Sequence, residues 1–395
     1  MLRAVRDIVA DIRTGGWDAL VEHALRIDGS PPSLVPVEPF AAEARRRLPR
    51  AALDAITLAA RNIEAFHRAT LPQDVDVETM PGLTVSKRWQ PLQSAGLYIP
   101  GGKAPLFSTL LMLAIPARAA GIERLTIVTP PRACGGLDPA VALAAELCGI
   151  DAVWTVGGAQ AIAALAFGAG DIRPVDRICG PGNAWVASAK AYVSSVPGGP
   201  GIDLPAGPSE LMVIADVSAD PAIVAADLLS QAEHGADAQV LLVTPDLAVA
   251  EAVEKELCRQ MAAIGGVFAR ARLIVCSDME EAVAIANLYA PEHLSLATEA
   301  ADEITPRIVN AGAIFAGHGA AESFGDYLAG SSHVLPTDGA ARFTGGISTL
   351  SFMKAITVQR VTPAAAAALA GPAAALARLE GLEAHARAAE ARAAA

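Results

Sequence analysis

The stretch LMVIADVSADPAIVAADLLSQAEHGADAQVLLVTP, residues 211–245, decides the fold class. It begins and ends with short runs of branched apolar residues, which are typical of buried strands. Between these runs Asp220 supplies a helix N-cap, and Pro221 takes the first helical position, where its missing N–H leaves no bond unmade. The pattern predicts a strand, a helix near 221–234 with Gly235 as its C′ residue, and a second strand.

The same alternation of short apolar runs and helical segments extends in both directions. Upstream, the pattern predicts strands at 125–130, 152–156 and 176–179 and helices at 107–120, 138–148, 159–167 and 183–195. Downstream, it predicts strands at RLIVCSD, HLSLAT and AGAIFAG and helices near 247–263, 279–288 and 300–310. Helical periodicity also covers 1–28 and 41–70. Such alternation is typical of βαβ units and a mainly parallel sheet.

The sequence therefore predicts an α/β protein with two modules and a helical C-terminal tail. We assign 1–97, with its N-terminal helices, and 210–345 to a first domain, 98–209 to a second domain, and 346–395 to the tail. The run SSVPGGPGIDLPAGPSE, residues 194–210, is rich in glycine and proline and lies between the modules. No GxGxxG follows a predicted strand, so the usual dinucleotide-binding fingerprint is absent.

Composition restricts the classes of function. The chain has 395 residues, of which 53% are hydrophobic and 18% charged, as expected for a folded globular protein. Its net charge of −12 argues against nucleic acid and anionic membrane surfaces as partners. Five cysteines without CxxC spacing fit neither a disulfide framework nor a zinc–thiolate site. Because no signal peptide or membrane span is recognisable either, we expect a cytoplasmic protein.

The segment QAEHG, residues 231–235, permits two interpretations. Asp227, Gln231 and His234 fall at i, i+4 and i+7, on one face of the predicted helix. Side chains one turn apart lie close enough to share a metal ion. Gln is an uncommon zinc ligand, however, and a solvated polar face has the same spacing. From the spacing alone, half of a metal site and an ordinary polar face both stay open.

Three further segments combine carboxylates with histidines: YAPEHLSL (289–296), GDYLAGSSHVLPT (325–337) and LEGLEAHARAAEAR (379–392). The first offers two adjacent proton-transfer groups of different pKa, and the second places polar residues in a loop-like stretch, where sites are commonly built. Taken alone, they also fit a turn, a surface loop and a charged helix. The residues concerned are Glu292 and His293, Asp326 and His333, and Glu380 and His385.

Eight stretches, in the same order, resemble the histidinol dehydrogenase family: GLYIPGGKAPLFSTLLMLAIPARAAGI, VGGAQAIAALAFG, CGPGNAW, DLPAGPSE, DLLSQAEHG, APEHL, FGDYLAGSSHVLPT and EGLEAHA. The resemblance runs from about residue 75 to the end; the N-terminal region is similar more loosely and is shorter than usual. It implies two Rossmann-like, aldehyde-dehydrogenase-like modules without the glycine fingerprint. It also implies NAD and one zinc ion per subunit as cofactors.

The resemblance further implies a role for each matching residue. The implied zinc ligands are Gln231, His234, Asp326 and His385, and the acid–base pair is Glu292 and His293. The implied substrate contacts are Ser209, Gln231, His234, His293, Asp326, His333, Glu380 and His385. The implied NAD contacts are Tyr98, Gln160 and Asn183. Glu233 points off the face shared by Gln231 and His234, so we expect it not to bind metal.

A member of this family oxidises an amino alcohol to an aldehyde and then to a carboxylate, with two NAD⁺. The resemblance implies that His293 takes the hydroxyl proton, that Glu292 activates water, and that His333 holds the oxygen that gains charge. It also implies a homodimer with intertwined C-terminal tails, in which Glu380 and His385 act in the partner's site.

Two alternatives stay open. Relatives that oxidise another small alcohol, such as sulfopropanediol, keep the zinc and Glu–His residues; a sulfonate, however, is best met by Arg or Lys, whereas Glu380 would repel it. The second alternative is an inactive paralogue that acts as a zinc-binding dimer. The presence of both Glu292 and His293 argues against it.

Overall fold

The computed structural model describes residues 1–101, 106–204 and 207–393. The chain divides into two compact units, Met1–Thr70 with Leu92–Phe352 and Leu71–Pro91 with Met353–Ala395. The strands are, in chain order, β1 (Ser33–Pro36), β2 (Val75–Met80), β3 (Leu83–Pro91), β4 (Ser94–Tyr98), β5 (Arg124–Thr129), β6 (Ala152–Thr155), β7 (Arg177–Cys179), β8 (Gly201–Ile202), β9 (Glu210–Ala215), β10 (Gln239–Thr244), β11 (Ala271–Val275), β12 (His293–Ala297), β13 (Ala313–Ala316) and β14 (Met353–Val361). The helices are α1 (Leu2–Ile27), α2 (Glu38–Arg47), α3 (Arg50–Ala69), α4 (Phe107–Ala119), α5 (Pro139–Leu147), α6 (Gly158–Phe167), α7 (Ala184–Ser195), α8 (Pro221–Ala232), α9 (Leu247–Ile264), α10 (Met279–Tyr289), α11 (Ala301–Ile304), α12 (Glu322–Tyr327), α13 (Pro363–Leu379) and α14 (Glu383–Glu390).

The first sheet of the larger unit has the strand order β1-β6-β5-β4-β7-β8. Its strands are parallel except for β1, which runs antiparallel to β6. The strands predicted at 125–130, 152–156 and 176–179 are confirmed, as are the four helices predicted around them. After β4 the chain adds β5 and β6 on one side of it and then β7 and β8 on the other. The carboxyl end of β4 therefore lies where the strand order reverses. In parallel sheets, that position is where ligands bind.

The N-terminal segment belongs to this first sheet. Residues 33–36 pair with 152–155, and α1 packs against α6 and α7. The contact buries Val5, Ile8 and Ile12 of α1 in one core with Ile162 and Leu165 of α6. The placement differs from the predicted grouping of 1–97 with 210–345, because this apolar face of α1 is buried against the other module.

The second sheet is entirely parallel, with the order β11-β10-β9-β12-β13. Its strand β9 is buried along its whole length, since α8 and α9 cover one face and α10 the other. The predicted N-cap is confirmed: Asp220 accepts a hydrogen bond of 2.8 Å from the N–H of Ala222. The predicted end is not, because α8 stops at Ala232 with Glu233 as its C-cap. His234 therefore lies just beyond the helix, and Gly235 is not its C′ residue.

The smaller unit contains an antiparallel sheet of order β14-β3-β2, followed by α13 and α14. The tail predicted to be helical over 346–395 thus contains a strand, because residues 353–361 pair with β3 along its whole length. Ile356, Thr357 and Val358 favour this extended conformation. No helix in the described ranges is long and apolar enough to cross a membrane.

Candidate active site

A cavity of about 200 Å³ lies in the larger unit. On one side it meets the carboxyl end of β7, and on the other Ser209, just before β9, and the beginning of β12. Seven of the predicted site residues line it together: Ser209, Gln231, His234, Glu292, His293, Asp326 and His333. Residues separated by more than a hundred positions in the chain therefore share one site.

Two carboxylates join the beginnings of β9 and β12. The N–H of Glu210 donates to the Glu292 carboxylate at 2.9 Å, and the N–H of Glu292 donates to the Glu210 carboxylate at 3.1 Å. The N–H of Asp338 also donates to Glu210, at 2.9 Å. This reciprocal arrangement holds Glu292 in place and leaves its carboxyl group at the cavity. Glu210 is a site-forming residue that the sequence reasoning missed.

The imidazole of His293 has one nitrogen committed and one available. Its Nδ1 lies 3.0 Å from the backbone oxygen of Glu210, which can only accept, so Nδ1 carries a proton. Its Nε2 is buried without a hydrogen-bond partner in the described residues. The nearest carboxylate is that of Asp326, 3.7 Å away, too far for a hydrogen bond. Nε2 is therefore the atom that can exchange a proton with a ligand.

Burial and charge shift the pKa values of these groups strongly. Burial raises the pKa of Glu292 to about 7. Burial alone would lower the pKa of His293, but Asp326, Glu292 and Glu322 outweigh it and raise the value to about 10. Burial likewise raises the pKa of Glu322 to about 8. Perturbed acids and bases gathered in one cavity are typical of an active site.

Glu322 is the second residue that the sequence reasoning missed. It is almost fully buried on α12, and its carboxylate lies 3.7 Å from Nδ1 of His293. The surrounding polar groups favour the Gln231 amide orientation in which its nitrogen donates to Glu322 and its oxygen, at 3.1 Å, shares the Glu210 N–H with the Glu292 carboxylate. The available signal was its position four residues before Asp326, on the same helical face.

The predicted metal ligands of this unit fit a divalent cation by their chemistry. An amide oxygen of Gln231, an imidazole of His234 and a carboxylate of Asp326 are donors that zinc accepts, and all three face the cavity. Across the described ranges, no group of three or more His, Cys, Asp and Glu side chains already has metal-binding spacing. Glu233 is exposed and is not among the residues that line the cavity.

Both ring nitrogens of His333 are engaged by the protein. Nδ1 lies 3.1 Å from the backbone oxygen of Asp326, and Nε2 lies 2.9 Å from the hydroxyl of Thr109 on α4. Because the Asp326 carbonyl only accepts, Nδ1 donates and Nε2 accepts from Thr109. Burial also lowers the pKa of His333. For Nε2 of His333 to contact a substrate oxygen, its hydrogen bond with Thr109 would have to break.

A buried ion pair between Lys190 and Asp203 supports the opposite wall of the cavity. Lys190 also donates to the backbone oxygen of Gly180 at 2.8 Å, and the N–H of Gly180 donates to Asp203 at 2.6 Å. Gly180 has a φ of 126°, and a Cβ there would collide with the backbone oxygen of Tyr98. The pair therefore fixes a close approach of two strand ends beside the site.

The predicted NAD contacts lie near a second cavity, of about 510 Å³, which Gln160 and Asn183 line. The hydroxyl of Tyr98 accepts from the N–H of Gly158 at 3.3 Å, at the beginning of α6. The side chain of Asn183 caps α7 by accepting from the N–H groups of Trp185 and Val186. The remaining predicted residues, Glu380 and His385, belong to the smaller unit, where both are exposed at α13 and α14.

The fold places the chain in a known class. An acetylating aldehyde dehydrogenase from Geobacillus thermoglucosidasius matches it with a TM-score of 0.52 and 17% identity, over 90% of this chain and 96% of that one. Likeness at this level shows a shared fold. The mixed α/β architecture with parallel sheets, expected from the sequence, is of the aldehyde-dehydrogenase-like kind.

Closer similarities identify the family. The family model of histidinol dehydrogenase matches residues 1–393. The histidinol dehydrogenase of Salmonella typhimurium is 45% identical over 390 residues, covering 97% of this chain and 89% of its own. That of Legionella pneumophila is 42% identical, covering 98% and 91%. The crystal structure of histidinol dehydrogenase from Elizabethkingia anophelis matches with a TM-score of 0.94 and 40% identity, over 99% and 91%. The chain belongs to the histidinol dehydrogenase family, oxidoreductases of histidine biosynthesis.

Proposed function

We propose that this protein oxidises L-histidinol to L-histidine through L-histidinal, with two NAD⁺ and one zinc ion per subunit. The observation that carries this proposal is the buried Nε2 of His293, which has no hydrogen-bond partner among the described residues, in a cavity shared with Glu292, Gln231 and Asp326. One basic nitrogen and one carboxylate of raised pKa suit two successive proton removals. The family membership of the chain supports the same reaction.

In the first step, Nε2 of His293 accepts the hydroxyl proton while hydride leaves the carbinol carbon for NAD⁺. A zinc ion bound to Gln231, His234 and Asp326 would supply positive charge that orients the substrate nitrogens and neutralises Asp326. With a cation bound to Asp326, the contribution of that carboxylate to the high pKa of His293 would be smaller, and the imidazole would accept a proton nearer neutral pH.

In the second step, Glu292 accepts a proton from water as the oxygen adds to the aldehyde carbon. The hydrate then loses its second hydride to another NAD⁺ and becomes the carboxylic acid. Glu292 suits this role because its pKa is about 7, so it is a carboxylate in much of the protein near neutral pH and still basic. The hydrogen bond from the N–H of Glu210 keeps it in position.

We further propose that the protein works in the cytoplasm as a homodimer with intertwined C-terminal tails. Glu380 and His385 would then complete the partner's site, as a substrate-binding carboxylate and the fourth zinc ligand. The exposure of both side chains in the isolated chain supports this arrangement. Size-exclusion chromatography with light scattering tests it, since a monomer with full activity would overturn it.

A second candidate substrate is a small sulfonated alcohol. Lys190 is a cation at the cavity, but its ion pair with Asp203 neutralises the charge that a sulfonate would need. The lining therefore favours the imidazole-bearing substrate. The decisive experiment measures NADH formation with L-histidinol and with dihydroxypropanesulfonate, each with NAD⁺ and NADP⁺. We expect turnover with L-histidinol and two NADH per molecule. Activity with the sulfonate alone would overturn the proposed function.

A further inference from the structure

The first helix of the chain is folded into a hairpin. At Gly16 the backbone has φ 59° and ψ −130°, which interrupts α1. Asp11 and His23 lie on either side of this break, with 3.0 Å between the carboxylate and Nε2. In a straight helix, twelve residues would separate them by about 18 Å. The two halves of α1 therefore lie side by side; we call residues 2–27 the N-terminal hairpin.

A chain of hydrogen bonds fixes the Asp11 carboxylate. The guanidinium of Arg26 lies 2.7 Å from Nδ1 of His23 and can only donate, so Nδ1 accepts and Nε2 donates its proton to Asp11. His23 is buried, whereas the Asp11 side chain is 59% exposed. Only Oδ2 of Asp11 makes a hydrogen bond within the described residues, so Oδ1 can accept from a ligand.

This carboxylate faces the second cavity. Asp7, Asp11 and His23 form one wall, and Gln160 and Asn183 form another. Gln160 is fully buried; its amide nitrogen donates to Asp28 at 3.0 Å, but its Oε1 has no partner in the described part of the chain. A buried amide oxygen without a donor calls for a ligand that supplies one. The cavity therefore offers acceptors on both walls to a hydroxyl-bearing ligand.

The loop Gly180–Asn183 separates this cavity from the active site. Gly180 and Pro181 line the active-site cavity, whereas Asn183 lines the second one. A dinucleotide whose nicotinamide meets the substrate beside His293 would extend past this loop and place its adenosine half in the second cavity.

We infer that Asp11, oriented by His23, accepts a hydrogen bond from the 2′-hydroxyl of the adenosine ribose. This contact makes the enzyme select NAD⁺ over NADP⁺. The inference rests on the proposed function, which requires NAD. A carboxylate binds a ribose hydroxyl well, but it repels a 2′-phosphate, and Asp7 on the same face adds to that repulsion. Arg26 also lines the cavity and keeps its positive charge when it donates to His23, but the two carboxylates, Asp7 and Asp11, outnumber it.

Calorimetry with the full chain tests the inference without the alcohol substrate. The ligands are ADP-ribose, its 2′-deoxy analogue and its 2′-phospho analogue, and the variants are Asp11→Asn and, as a matched control, Asp18→Asn. Asp18 is also an exposed carboxylate of the N-terminal hairpin but is not among the residues lining the cavity. In the unchanged protein we expect the deoxy and phospho analogues each to bind about tenfold more weakly than ADP-ribose.

In Asp11→Asn both differences should shrink to less than about threefold, while Asp18→Asn should keep them. Equal binding of the three ligands by the unchanged protein would overturn the inference, whether or not the variant folds. If NADH formation from L-histidinol is then observed, the proposed function stands and only the role of Asp11 is wrong. If the protein binds neither ADP-ribose nor NAD⁺, both fail together.

Discussion

Nδ1 of His293 lies 3.0 Å from the backbone oxygen of Glu210, so the second sheet itself sets the tautomer of this imidazole. Glu210 begins β9 and His293 begins β12, and these strands are parallel neighbours with His293 in register with Leu211. A backbone carbonyl cannot be displaced by side-chain motion, and it only accepts. The proton stays on Nδ1, and Nε2 is the nitrogen that could exchange a proton with a bound ligand.

This relationship predicts the effect of His293→Asn. The Asn amide can still donate to the Glu210 carbonyl, but it offers no base at the position of Nε2. We expect the alcohol oxidation rate to fall by about 10²–10⁴-fold with little loss of thermal stability. Single-turnover NADH formation measures the rate, and Tm measures the fold. Full turnover in this variant would show that another group takes the proton.

The raised pKa of Glu292 predicts a pH dependence of the aldehyde step. Burial raises this pKa to about 7, and only the carboxylate form can accept a proton from water. The rate of L-histidinal oxidation should therefore rise with pH through about 7 and level off above it. Glu292→Gln should lower the rate and abolish this rise. A stopped-flow series with the aldehyde measures it; an unchanged profile in the variant would assign the titration to another group.

The local pattern predicted most of the elements but not their long-range partners. Strand β9, helix α8 and strand β10 follow from the apolar runs and from Asp220, because both signals act within a few residues. The pairing of 33–36 with 152–155 leaves no local trace, since more than a hundred residues separate the two strands. The strand 353–361 has a local signal in Ile356, Thr357 and Val358, but its pairing with the distant strand β3 has none.

The candidate site was predictable where the resemblance assigns a role to a residue, and Glu210 was missed although it ends the resembling block DLPAGPSE. Glu292 and His293 are adjacent in the sequence, so they were easily noticed. Glu210 and Glu322 were missed because acidic residues are expected on the surface, and only the fold shows that both are buried. The burial of a carboxylate therefore identifies a site residue only after the structure is known.

The ion pair of Lys190 and Asp203 predicts strong coupling between two substitutions. Lys190→Met would leave a buried carboxylate without its cation, which we expect to destabilise the protein by about 3–5 kcal/mol. Adding Asp203→Asn should recover part of this loss, because the Asn oxygen still accepts from the N–H of Gly180. Urea unfolding of the two single variants and the double variant measures the coupling. Additive losses would show that the pair does not interact.

His67 predicts a loss of stability in mild acid. It is fully buried on α3, neither ring nitrogen has a partner among the described residues, and burial lowers its pKa to about 4. Between about pH 6.5 and 4 the unfolded chain then binds more protons than the folded one, so stability falls as the pH falls. The contribution of His67 is about 1 kcal/mol between about pH 7.5 and 5.5.

Urea unfolding at these two pH values isolates the contribution. His67→Leu should be less sensitive to acid than the unchanged protein by about that amount. His318→Gln, at an exposed histidine, should keep the original sensitivity. If both variants respond to pH as the unchanged protein does, the burial of His67 does not govern its protonation.

The proposed zinc site predicts a contrast between two neighbouring carboxylates. Asp326 lines the active-site cavity, whereas Glu233, although adjacent to His234, is exposed and is not among the lining residues. Asp326→Asn should lower zinc affinity about 10–100-fold, because a neutral amide replaces a charged ligand. Glu233→Gln should leave the affinity unchanged, since losing a surface carboxylate there removes no ligand. Competitive titration with a zinc-binding dye measures both, independently of turnover. Removal of zinc by a chelator should abolish NADH formation, and re-addition should restore it. Loss of zinc in Glu233→Gln but not in Asp326→Asn would move the metal to the exposed side of this turn, away from His293.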